Sequence, residues 1–348
     1  MNKVYLSVHY LCSITLVIPY VEGGIDMPLP VLIILIVAGV ILAFFLLGIL
    51  PVLPIAIKVH RMQLVRGGEN TWNRECSCLT NEEQVRMWNE GQEWFETVKD
   101  KCEEISITSY DGLKLTGQYF NFGGKKCVII LGGRCETVGY SYYYTKPYVE
   151  LGYNILLIDP RAHGLSEGKV NCIGIKEYKD TIKWMQLAHD KYGNEKVLLH
   201  GICIGSANSM YTATSKQCPP YLEGIIVDGL YRNFYDTFAL HMKQINRPVF
   251  PFCLLVMFVI QFYAGKNPIT FCPGKMIKKY KGNLLMIHSK LDSFSEPRRA
   301  TKMFESCPSE HKKIVWFDKG AHSHVRINNA EKYDVTIKEY VKEISSRE

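Results

Sequence analysis

Three residues in this chain have the types and the order of a covalent catalytic set: Cys203, Asp292 and His322. Cys203 is the centre of Gly201-Ile202-Cys203-Ile204-Gly205, between the apolar run KVLLH and the small-residue run SANSMYTATS. Strand, sharp turn and helix in that order make a nucleophile elbow. Its glycines let the backbone turn tightly enough to lift the central side chain clear, and a backbone N–H is left to stabilise an oxyanion. Asp292 follows NLLMIH in the loop SKLDSFSEP, and His322 follows KIVWF in DKGAHSHV, so both stand where a strand ends. An imidazole held by a carboxylate takes the proton from the nucleophile and returns it to the leaving group, which is the chemistry of acyl transfer. His324 is the competing base.

Taken singly, each residue has an ordinary structural use: a packed thiol, a turn carboxylate, a loop imidazole. Their shared place after strands, in the order nucleophile, acid, histidine, is what sets them apart.

The elements that must position them are legible as eight short β-rich runs, at 104–109, 114–120, 126–131, 153–159, 196–200, 223–228, 283–288 and 313–317. Tyr110-Asp111-Gly112 joins the first two as a hairpin turn, and helix-length segments such as 176–192 separate most of the later ones. Runs such as CVIIL and NILLI are apolar throughout, which predicts a parallel sheet buried on both faces. The expected architecture is an antiparallel start feeding a doubly wound α/β sheet, with the site at the carboxyl ends of its strands.

The N-terminal region is of another kind. Residues 29–57 carry no charge, and about 20 such residues span a hydrocarbon core as a helix. Pro51 and Pro54 end or kink that transmembrane helix, and Lys58, His60, Arg61 and Arg66 follow. Residues 1–28 form a weaker apolar segment that reads as a cleaved signal, a first membrane helix or a start-site extension. By the positive-inside rule the basic flank puts the catalytic domain on the cytoplasmic face of the cell membrane. Residues 58–103 read as a polar connector, with a helix expected over 82–98, and residues 104–348 as the catalytic domain.

Composition excludes several classes. With 41 basic and 34 acidic residues the net charge is +7, and 47% of residues are hydrophobic, so the chain is not disordered. No basic tail or nucleic-acid module is present, so no nucleic acid is expected as partner. Twelve cysteines in 348 residues are too sparse for a disulfide scaffold and read as reduced small hydrophobes. Cys76 and Cys78 supply two ligands where a tetrahedral zinc site needs four, so no metal is expected. No organic cofactor is implied.

Over roughly residues 85–345 the chain resembles the α/β-hydrolase superfamily. Within it, the chain looks like the membrane-anchored hydrolases typical of Firmicutes, related to the serine aminopeptidase-like and prolyl-oligopeptidase-like groups. The resemblance is carried by SYDGLKL at 109–115, ELGYNILLIDPRAHGLSEGK at 150–169, GIKEYKDTIKW at 174–184, HGICIGSA at 200–207 and LLMIHSKLD at 284–292. It continues in GAH, followed eleven residues after His322 by Tyr333, a spacing that favours His322 over His324. It implies the α/β-hydrolase fold, a mostly parallel eight-stranded sheet with helices on both faces, here with an N-terminal transmembrane helix. In that frame Arg161, His163 and Ser166 organise a loop, and the oxyanion donors are the backbone N–H groups of Ile204 and Arg134. Two departures stand out: Cys203 where relatives carry Ser, and Gly132-Gly133 where they have His-Gly. A cysteine nucleophile is also used by α/β-hydrolases resembling dienelactone hydrolase.

The lid expected over about 237–282 lies in a stretch between Asp236 and Asp292 that holds eight Lys or Arg and no Asp or Glu. Its centre, VFPFCLLVMFVIQFY, is short for a span and reads as a lid helix covering the pocket or as a contact with the inner leaflet. The sequence thus predicts an anchored hydrolase cleaving an ester, thioester or amide of a small-molecule or lipid-like acyl substrate through Cys203, His322 and Asp292. The alternative is an inactive membrane-tethered binding or scaffold protein of the same fold.

Overall fold

The computed structural model describes residues 28–67 and 71–347, with the backbone of Tyr5–Val8 and Leu16–Pro19 as an antiparallel strand pair. The readings of residues 1–28 fall largely outside the described residues. The chain divides into two compact units, residues 1–51 and 52–348.

In the first unit, helix α1 (Leu29–Phe44) is followed by a π-helical turn at Phe45–Ile49. Pro30 sits in its first turn, where a missing N–H costs nothing, and α1 buries no residue. A helix apolar on every side, with each of its side chains exposed, suits hydrocarbon rather than water. Residues 29–64 make the one helical run among the described residues that is long and apolar enough to cross a membrane, by length and composition.

The second unit is built on an eight-stranded sheet. Its strands are β1 (Cys102–Thr108), β2 (Lys114–Phe120), β3 (Lys126–Leu131), β4 (Asn154–Ile158), β5 (Lys196–Ile202), β6 (Leu222–Asp228), β7 (Leu284–Ser289) and β8 (Lys312–Phe317). They lie in the order β8-β7-β6-β5-β3-β4-β2-β1. β1 pairs with β2 and β2 with β4 antiparallel, and the remaining pairs are parallel. All eight runs read from the sequence are strands, with ends moved by one or two residues.

The period-2 alternation of the strands divides the core. Val128, Ile130, Leu198 and Ile226 face helices α3 (Glu82–Val98) and α9 (Ala330–Ser345), while Ile129, Leu131, Leu199 and Val227 face α4 (Glu177–Asp190), α5 (Ile204–Ala213) and α8 (Pro297–Ser306). Apolar residues on both faces are what a sheet covered twice requires. Helix α3 starts where the Asn81 side chain accepts the N–H groups of Glu83 and Gln84, two of the donors a helix leaves unpaired at its start.

The stretch read as a connector is sewn into the body. Helix α2 (Leu53–Leu64) buries Ala56, His60 and Leu64, and the His60 ring stacks on Tyr263 with centroids 4.7 Å apart. After α2, the Arg66 guanidinium donates to the carbonyls of Gly164 and Ser166 at 2.8 and 3.2 Å. The Asn171 N–H donates to Leu64 O.

The stretch between β6 and β7, where a lid is expected, holds helices α6 (Phe234–Gln244) and α7 (Phe252–Ala264). α7 packs Val256, Met257 and Ile260 into a cluster with Ala56 and Leu64 of α2 and with Ile204 and Tyr231, beside Cys203. Its other side leaves Leu254, Phe258 and Phe262 in the open, 42%, 60% and 78% exposed. Helix α7 is therefore packed on one side and a bare apolar stripe on the other.

Candidate active site

Cys203 occupies the turn between β5 and α5 with φ 55° and ψ −112°. A side-chain-bearing residue adopts that backbone only where its surroundings enforce it. Here they do. A Cβ on Gly205 would lie 1.8 Å from Leu131 O, and one on Gly201 would lie 2.2 Å from Gly205 O, so the turn closes only with glycine on both sides. The Cys203 N–H donates to Asp228 O at 2.9 Å, and Ser206 Oγ lies 2.7 Å from the carbonyls of both Gly201 and Asp228. Cys203 is held at the junction of two core clusters, partly buried.

His322 Nδ1 is 2.7 Å from Asp292 Oδ2. The other carboxylate oxygen accepts the N–H groups of Phe294 and Ser295 at 2.8 and 2.7 Å, which fixes the carboxylate plane toward the ring. Burial favours a neutral imidazole, but the charge of Cys203 and the hydrogen bond that Nδ1–H donates to Asp292 outweigh it, and His322 titrates well above the ordinary histidine value. Burial likewise pushes Asp292 up, and His322 more than reverses this, holding it below the usual carboxylate value. The His322 ring lies against Gly229, one residue past Asp228, whose carbonyl accepts the Cys203 N–H. Cysteine, histidine and aspartate are thus brought together at the carboxyl edge of the sheet.

His324 turns away. Its ring faces α3, with Nδ1 3.2 Å from Glu83 Oε2 and Nε2 2.8 Å from Gln84 Nε2.

A family model described as the alpha/beta hydrolase fold matches residues 126–248, which include β3, the elbow and helix α6. The Pyrococcus furiosus esterase Pf2001 superposes with a TM-score of 0.60 at 21% identity, over 72% of this chain and 93% of its own. The chain has the α/β-hydrolase fold. Its sequence is 25% identical to the uncharacterized protein YqkD of Bacillus subtilis, over 62% of this chain and 70% of that protein. It is 23% identical to an uncharacterized membrane protein of Saccharomyces cerevisiae, over 65% of this chain and 75% of that protein.

In this α/β-hydrolase fold the N–H of Ile204 opens helix α5, where the first N–H groups have no acceptor within the helix. Arg134 is held at both ends of the residue: its guanidinium donates to Gln63 O at 3.1 Å, and its carbonyl lies 2.6 Å from His163 Nε2. His163 is itself clamped, with Nδ1 3.0 Å from Arg161 O and its ring stacked on Trp72 at 4.5 Å. Arg161 bridges Asp180 and Asp111, and Ser166 Oγ donates to Asp159 O at 2.7 Å. The D-x-R-x-H-G-x-S-x-G segment therefore steadies the loop that carries Arg134.

Sequence reasoning missed two carboxyls. Glu136 is buried and accepts the Gly133 N–H at 2.6 Å, and burial raises its pKa. Its side chain fills the space beside Gly132 and Gly133, where a Cβ would approach it to 3.0–3.1 Å, which gives the unusual Gly-Gly pair a physical reason. Asp228 ends β6, fully buried, with Oδ2 accepting from Tyr333 Oη at 2.9 Å and Oδ1 without a partner. Burial pushes it up to about 7, against the opposing pull of Tyr333 and His322. Its signal was available: a carboxylate at the carboxyl end of an apolar parallel strand.

Cys76 and Cys78, the pair weighed as metal ligands, face Tyr140 Oη at 3.3 Å and Thr80 Oγ1 at 3.7 Å. Among the described residues no group of three or more His, Cys, Asp or Glu is placed to hold a metal ion.

Proposed function

We propose that the chain is a membrane-anchored hydrolase that cleaves an ester, thioester or amide through a covalent acyl-enzyme on Cys203. The observation that carries this reading is the strained elbow of Cys203 beside the hydrogen-bonded His322–Asp292 pair. His322 takes the thiol proton and Asp292 holds the resulting imidazolium. The thiolate attacks the acyl carbon, and the N–H groups of Ile204 and Arg134 receive the oxyanion. His322 then protonates the leaving group, and water enters by the same base to release the acid.

The anchor is the apolar run from Leu29 to the residues before α2, and Lys58 and Arg61 of α2 favour a cytoplasmic catalytic unit. A lipid-like acyl substrate suits the apolar cluster of α2 and α7 beside Cys203 and the open stripe of Leu254, Phe258 and Phe262. The esterase Pf2001 shares the fold, which supports hydrolysis as the reaction class.

The test is intact-mass spectrometry of the full chain in lipid nanodiscs with an electrophilic acyl probe, alongside hydrolysis of a model thioester. Wild type should take one acyl group on Cys203, Cys203→Ala should lose both labelling and turnover, and Cys203→Ser should keep ester turnover. Turnover by Cys203→Ala equal to wild type would remove Cys203 as the nucleophile.

A further inference from the structure

Lysines in the second unit fall into two populations. Many are ion-paired, as in Lys125–Glu195 at 2.8 Å, Lys191–Glu103 at 2.7 Å and Lys338–Glu150 at 2.6 Å. Five others, Lys179, Lys183, Lys216, Lys266 and Lys279, line one groove of about 910 Å³ whose lining contains no carboxylate. They come from α4, the turn after α5, the turn after α7 and the approach to β7, so only the fold brings them together. Against a formal excess of +7 for the whole chain, five uncompensated charges in one groove are a concentration rather than a background.

The groove is also built. Tyr211 and Phe271 in its lining stack at 4.7 Å, and Tyr211 Oη donates to Phe271 O at 3.3 Å. Lys266 Nζ lies 3.8 Å from the Phe271 centroid and Lys179 Nζ 4.3 Å from that of Tyr110, so two of the ammonium groups rest on rings. Lys183 Nζ donates to Thr108 O at 2.7 Å. Ser215 and Gln217 add neutral donors along the same wall. Several ammonium groups in one concave surface repel one another and raise the local concentration of anions. A phosphate group, with about two charges and three free oxygens as a monoester or one charge and two free oxygens as a diester, satisfies several lysines together.

We propose that this groove is a binding site for a phosphate-bearing ligand, separate from the Cys203 site and independent of the hydrolase reading. The phosphate comes either from a soluble phosphorylated molecule or from an anionic lipid headgroup, and the experiment has one arm for each.

In the first arm, inorganic pyrophosphate is titrated calorimetrically into the full chain in neutral phosphatidylcholine nanodiscs at low salt. In the second, the nanodiscs contain photoactivatable phosphatidylglycerol and cross-linked peptides are mapped. Pyrophosphate binding in the first arm with no cross-links in the second assigns a soluble ligand. Cross-links on the peptides carrying Lys216 and Lys279, displaced by pyrophosphate, assign a headgroup. In either arm the triple variant Lys216→Gln, Lys266→Gln, Lys279→Gln should bind at least about tenfold more weakly, a loss of about 1.4 kcal/mol. The corresponding triple arginine variant should retain binding, which separates lost charge from lost fold. A wild-type chain silent in both arms, or a glutamine variant that binds as well as wild type, overturns the site.

Discussion

Gly229 leaves open the space that the His322 ring occupies: a Cβ on Gly229 would lie 2.8 Å from the ring's Cε1 and 3.0 Å from its Nδ1. Gly229 follows the last residue of β6 at φ 69°, a backbone that disfavours any other residue, so strand end, glycine and imidazole are one arrangement. Gly229→Ala should push the ring away from Cys203 while the sheet stays intact. Misplacing a reacting group by about 1 Å costs on the order of 10²-fold in rate, and kcat of the variant should fall by about that factor. Steady-state kinetics of the two proteins decides it, and an alanine variant with wild-type kcat would show that the ring tolerates displacement.

His163 reaches the site through Arg134. With its ring nitrogens at the carbonyls of Arg161 and Arg134, it fixes the loop whose N–H is assigned to the oxyanion. His163→Ala should lower kcat by up to about 10²-fold with KM nearly unchanged, because loss of one oxyanion donor costs roughly 10²–10³. A purely structural role would instead lower the melting temperature and leave kcat per folded molecule unaltered.

Asp228 makes stability depend on pH. Its carboxyl ionises near 4 in an unfolded chain and at about 7 in the fold, where burial dominates over Tyr333 and His322, with Asp292 and Glu136 adding like charge. Between those values the folded state holds a proton that the unfolded state has released, so stability falls as pH rises from about 4 to about 7 and then levels. The loss is on the order of a few kcal/mol, and Asp228→Asn should abolish it. Denaturant unfolding of both proteins at pH 5 and pH 8 checks the sign; parallel behaviour of the two would mean that Asp228 does not titrate in this range.

The open stripe of α7 offers a test of the lipid route. Phe258 and Phe262 are 60% and 78% exposed, so Phe258→Ser with Phe262→Ser should change stability by no more than about 0.5 kcal/mol each. Hydrolysis of a short soluble ester should stay within about twofold of wild type, while a long-acyl ester dispersed in the bilayer should be cleaved several-fold more slowly. Equal losses on both substrates would place these rings in folding rather than in lipid contact.

The sequence by itself determined the sheet, the elbow and the residues around it. Strands β1 to β8 are short, apolar and bounded by turns, and that signal is local: KVLLH is a buried strand wherever it is placed. Cys203, Asp292 and His322 were legible because each stands directly after such a strand, and strand ends on one edge of a parallel sheet converge. Tertiary structure alone decided what depends on burial and on partners distant in sequence. His322 and His324 are two residues apart, but one meets Asp292 and the other meets Glu83 and Gln84. The same is true of α2, whose apolar residues read as the end of an anchor until His60 stacks on Tyr263 about two hundred residues away. Charge followed the same rule: the lysines between Asp236 and Asp292 looked alike in sequence, but Lys290 pairs with Asp318 while Lys266 and Lys279 join lysines of α4 in a groove without carboxylates. Periodicity records which face of an element is buried; which neighbour covers it, and which charge it meets there, is fixed only when the chain closes on itself.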